Sequence, residues 1–69
     1  MATKSITYTA RSKFGTVTRG SKAYEYVAAV VRSDGWSMFC RSEAAARKEL
    51  SYQIGRGRDV EMVAVERGQ

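Results

Sequence analysis

The sequence predicts a single α+β domain, an antiparallel sheet of four to five strands with one α-helix packed on one face, in the order β-β-β-β-α-β. Three observations carry this. Short runs of period-two alternation, separated by glycine-bearing turns, occupy residues 5–41. One alanine-rich segment follows with apolar residues every four positions, and a last β-prone run closes the chain. The 69 residues make one domain, 1–69, with a thin core.

Each element has its local reason. In 5–11, Ile6, Tyr8 and Ala10 face one way and Thr7, Thr9 and Arg11 the other, the pattern of a half-buried strand. Ser12–Gly15 reads as a turn in which Gly15 takes positive φ, followed by a short β-prone piece, Thr16–Arg19, that Gly20-Ser21 breaks. Tyr24–Arg32 is the most apolar run, with Val27, Ala29 and Val31 on one face and Tyr24, Tyr26, Ala28 and Val30 on the other. The step Asp34-Gly35 predicts a hairpin into Trp36–Arg41, with Trp36, Met38 and Cys40 on one side and Ser37, Phe39 and Arg41 on the other. Ser42 is a good N-cap, Glu43 favours the first turn and can pair with Arg47, and Ala46, Leu50 and Ile54 form the expected buried stripe. Gly55 is placed to end the helix in the left-handed conformation. Val60–Glu66 is the last strand.

Charge is distributed unevenly. Residues 1–22 hold five Lys or Arg and no acid, whereas residues 23–69 hold seven of each, so the formal net charge of +5 sits in the first third. Within Thr9–Lys22, the cations Arg11, Lys13, Arg19 and Lys22 join threonine and serine hydroxyls, the groups that bind phosphate oxygens. The plain alternative is an edge hairpin that carries cations against aggregation. Tyr24, Tyr26 and Trp36 are candidate aromatic anchors for a base or a protein partner, or else core residues. Arg56 and Arg58, flanking Gly57, either clamp an anion or complement the helix dipole. A sheet with one helix leaves one face bare, so a partner or a second copy is expected to cover it.

Catalysis is not expected. There is no histidine, the single Cys40 falls on an apolar face, and the seven carboxylates form no spaced acid/base or metal set. No cofactor or metal is expected. The N-terminal segment lacks the apolar run of a signal peptide, no segment reads as a membrane span, and one unpaired thiol suits a reducing compartment, so a cytoplasmic location is expected.

The pattern Thr18-Arg19-x-Ser21-x-x-Tyr24-x-Tyr26-x-x-x-Val30, then Phe39-x-x-Ser42 and Ala44-Ala45-Ala46-Arg47, resembles the small accessory proteins of bacteriophages and other mobile elements, anti-CRISPR proteins among them. The resemblance is one of style over about Thr18–Leu50. It implies a non-enzymatic protein that inhibits or modulates a host nucleic-acid-handling complex by steric occupation of a surface. The order of three strands and a helix is also similar to the DNA-binding domain of phage integrases, from which Val60–Glu66 departs as an addition. Three partners are therefore expected in competition: a host protein or nucleoprotein complex, DNA or RNA bound directly by the basic hairpin, or further copies of a structural phage component.

Overall fold

The computed structural model describes residues 6–22 and 25–68. Five strands, β1 (Ile6–Ser12), β2 (Gly15–Ser21), β3 (Ala28–Arg32), β4 (Ser37–Cys40) and β5 (Val60–Gly68), accompany one helix, α1 (Glu43–Gly55). The strands form one antiparallel sheet in the order β2-β1-β5-β3-β4. The α+β class and the element order match the sequence reading. The last strand, however, sits in the middle, paired with β3 through Val60–Ala64 and with β1 through Val65–Gly68.

The hairpin β1–β2 turns through Lys13-Phe14, with Ser12 paired to Gly15 at a φ of +126°. The Ser12 hydroxyl accepts from the Phe14 N–H and donates to the Gly15 carbonyl, which closes the turn. β2 runs on through Gly20 and Ser21, because continuous pairing to Ile6 and Thr7 outweighs the weak β preference of those residues. In the second hairpin, Gly35 takes a φ of +96°, as the Asp-Gly step predicts.

α1 lies over β3, β4 and β5. Ser42 caps it by accepting from the Ala45 N–H at 3.1 Å. Its inward stripe is the buried Ala46 and Gln53 with the partly buried Leu50; Ile54, expected there, is 59% exposed. The stripe packs on Ala28, Val30, Cys40, Trp36, Val60 and Met62. The helix also ends differently from expectation. Arg56 and Gly57 donate back to the carbonyls of Tyr52, Gln53 and Ile54, and the positive φ of +75° falls on Gly57, not Gly55.

The face away from the helix is not bare. The sheet curls so that Ala10, Ala29 and Val31 are buried against the partly buried Phe14, Val17, Phe39, Val63 and Val65, and Tyr8 is 1% exposed beneath Tyr26. One irregularity makes this closure work. Ala28 is registered against Cys40, yet the Val27 N–H also donates to the Cys40 carbonyl, so two residues oppose one in a β-bulge. Beyond the bulge the alternation changes phase. Tyr26 therefore joins the Ala29 face, edge-on to Tyr8 (5.3 Å between centroids) and Phe39 (5.8 Å), instead of the Ala28 and Val30 face expected from straight alternation.

Candidate functional site

α1 packs on β3, β4 and β5 and leaves the outer side of the hairpin β1–β2 uncovered among the described residues. The register places Thr9 opposite Thr18 and Arg11 opposite Thr16, with Thr7 on the same side, so hydroxyls dominate that face. Thr7, Thr16 and Thr18 are exposed. β2 is also an edge of the sheet, with β1 as its only strand partner among the described residues.

The four predicted cations do not form one flat strip. Arg11 and Arg19 belong to opposite faces, because Arg11 pairs with Thr16 while Arg19 pairs with Tyr8. Arg19 lies over the Tyr26 ring at 5.8 Å, at the rim of the concave side. Lys13 occupies the turn at one end, its ammonium over the Phe14 ring at 5.2 Å, and Lys22 follows the strand at the other end. They share the outer border of the sheet instead of one face.

Nor is the hairpin acid-free in space. β5 runs beside β1 and brings Glu66 to Arg11 at 3.0 Å, an exposed ion pair, while the Glu61 carboxylate accepts from the Lys13 backbone N–H at 2.8 Å. Linear charge counting misses both, because strand pairing joins residues about fifty positions apart. Among the described residues, Lys13, Arg19 and Lys22 make no ion pair with a carboxylate.

The aromatic anchors fare differently. Tyr24 lies outside the described residues. Tyr26 is half-buried in the ring cluster, and Trp36 packs against the helix-side core. Among the described residues, the exposed large apolar ones are instead Val27, Met38, Tyr52 and Ile54. Met38, Ala45, Lys48, Glu49 and Tyr52 line one shallow depression between β4 and α1.

At the end of the sheet opposite the helix N-terminus, Arg32 organises a polar cluster. Its guanidinium holds Asp34 through two contacts, 3.0 Å at Nε and 2.6 Å at Nη2, stacks over the Trp36 ring at 4.8 Å and donates to the Gln53 amide oxygen. Gln53 in turn donates to Glu49 at 2.6 Å. The Arg32 hydrogen bond and the Trp36 N–H hold the Asp34 carboxyl down at about 2, well below the usual carboxylate range. Arg58 lines a cleft beside this cluster with Gly57 and Asp59, while Arg56 lies over the Tyr52 ring at 5.8 Å, so the two arginines do not converge as one clamp. Cys40 is buried, and desolvation, with the Glu49 charge added, raises its thiol above its ordinary value, away from a thiolate nucleophile. Among the described residues no three His, Cys, Asp or Glu side chains come together to hold a metal, and no helix is long and apolar enough to cross a membrane.

The fold and this site define a small α+β domain with an open-edged, cation-bordered hairpin. Comparison with protein-family models, with curated proteins and with solved structures finds no match.

Proposed function

We propose that this chain is a non-enzymatic binding protein of the host-cell interior whose β1–β2 hairpin contacts the phosphate backbone of a nucleic acid, alone or within a nucleic-acid-handling complex. One observation carries the reading: the uncovered face of the hairpin presents threonine hydroxyls beside the Arg11–Glu66 pair and is bordered by Lys13, Arg19 and Lys22, with no large apolar side chain among its described residues to anchor a protein. Hydroxyls, lysines and arginines suit phosphate oxygens, and the exposed edge of β2 adds backbone N–H donors of the same use.

The second reading is occupation of a protein surface in such a complex, as the resemblance to phage accessory proteins implies. Glu66 and Glu61 favour it, because carboxylates beside the hairpin repel phosphate but suit a mixed-charge protein surface.

A salt titration with labelled single- and double-stranded DNA tests the first reading. Affinity is expected to fall linearly in the logarithm of salt. Replacing Lys13, Arg19 or Lys22 by Ser should lessen the slope by about 0.9 for each duplex phosphate that the cation neutralised. Glu66→Gln separates the two readings. It strengthens binding to DNA by removing a carboxylate from beside the hairpin, and weakens binding to a protein that pairs with Glu66. Absence of DNA binding at low salt overturns the first reading.

A further inference from the structure

We propose that the outer edge of β4 is a self-association surface that pairs antiparallel with β4 of a second copy, on a two-fold axis at Met38. The argument rests on β4 and α1, apart from the hairpin and its proposed ligand.

The two edges of the sheet are built differently. β2 contains Arg19 and is flanked by Lys13 and Lys22, the charged guard that keeps an edge from pairing. β4 reads Ser37-Met38-Phe39-Cys40, with no charge or proline within it and no strand on its outer side among the described residues; the exposed Arg41 follows at one end, which a two-fold axis at Met38 carries away from its own copy. Beside it the exposed Met38 and Tyr52 border the depression against α1. An edge uncharged along its paired length, next to exposed apolar side chains, needs a cover.

The hydrogen-bond phase says how the edge pairs. The Arg32 N–H donates to the Trp36 carbonyl, and the register continues from that pair through Val30–Met38 to Ala28–Cys40. Met38 and Cys40 therefore turn their backbone groups inward to β3, while Ser37 and Phe39 turn theirs outward. Centred on Met38, two copies pair Ser37 with Phe39 of the partner subunit, and Phe39 with the partner's Ser37, which satisfies all four outward groups of each edge.

Complementarity selects a second copy as the occupant. The helix stripe facing this edge is Ala45, Lys48, Glu49 and Tyr52, at helical spacing. The two-fold axis sets the two helices antiparallel on one side of the joined sheet, so small Ala45 comes to the end where the other copy presents large Tyr52. Lys48 and Glu49 meet in the middle with opposite charges facing. The stripe is neutral, although the chain as a whole carries +5, so two copies approach here without the repulsion that β2 would impose. The joined sheet has ten strands and carries a β1–β2 hairpin at each end.

Sedimentation equilibrium and oxidative cross-linking test the arrangement. The wild-type chain is expected to show twice its 7.7 kDa mass with rising concentration. Met38→Lys and Ser37→Pro are each expected to weaken the dimer by about tenfold or more, Met38→Lys by placing like charges on the axis and Ser37→Pro by removing an outward donor. Met38 is exposed, so Met38→Lys reads the interface even if Ser37→Pro unfolds the chain. Met38→Cys in a Cys40→Ser background is expected to form a covalent dimer on oxidation, since directly opposed non-hydrogen-bonded residues lie within disulfide reach. A monomer up to about 1 mM, a dimer indifferent to Met38→Lys, or failure of that cross-link each overturns the proposal.

Discussion

Arg32 and Gln53 show how single side chains hold the end of this sheet together. Arg32 is 15% exposed at its side chain and would be left short of partners without Asp34, the Trp36 ring and the Gln53 amide. Asp34 titrates at about 2 when folded and near 3.8 when unfolded, so its contribution to stability is complete above about pH 4. Between pH 4 and pH 2 the unfolded chain takes up the proton first, and the contribution is lost as the folded carboxyl titrates. Urea unfolding at pH 5 and pH 2.5 should therefore show a larger loss for the wild type than for Asp34→Asn; equal losses would remove Asp34 from the acid response. Gln53 tests the helix face in the same way. Gln53→Ala should destabilise by about 1–3 kcal/mol, since it strips an acceptor from Arg32 and a donor from Glu49. Ile54→Ala, at an exposed position, should stay within about 0.5 kcal/mol, although isoleucine is by far the more apolar residue.

At the scale of elements, the end of α1 depends on two glycines with opposite roles. Gly57 holds a φ of +75° while Gly55 keeps ordinary helical geometry, and an added Cβ meets nothing within 4 Å at either position. Gly57→Ala should cost about 1 kcal/mol through backbone strain, whereas Gly55→Ala should gain about 0.5–1 kcal/mol in helix propensity, read as opposite shifts in thermal midpoint. The sequence reading puts the terminator at Gly55, and only the hydrogen bonds of Arg56 and Gly57 back to the helix move it to Gly57. The same limit explains the other departures. Alternation over Ile6–Arg11, the Asp34-Gly35 turn and the Ser42 cap are local, and they are legible because near neighbours dictate them. The bulge at Val27-Ala28 leaves composition unchanged but reverses the face of Tyr26, so a continuous apolar run conceals it. Gln53 reads as surface by type, and nothing in the sequence announces that Arg32 waits for it.

For the whole molecule, the decisive fact is that the final strand occupies the centre. β5 supplies Val60 and Met62 to the core under α1 and Val63 and Val65 to the core inside the curl, and among the described residues it alone joins β1 to β3 by strand pairing. It also carries Glu61 and Glu66 to the hairpin, which is why the candidate cations were legible in the sequence but their partial neutralisation was not. Charge read along a chain is not charge read across a sheet. The placement has a consequence for stability, because neither the hairpin nor the β3–β4–α1 unit completes a buried face until the last residues arrive. A chain ending at Asp59 loses residues from both clusters at once and should show no cooperative thermal transition by circular dichroism. A chain lacking residues 7–21 loses more residues but keeps every member of the helix-side cluster, so it should retain a helical signal and melt at a lower temperature. The shorter deletion is thus expected to be the more damaging. If the chain ending at Asp59 melts cooperatively while the chain without the hairpin does not, the core is organised by β1 and β2, and the central place of β5 in the sheet is not what holds the two halves together.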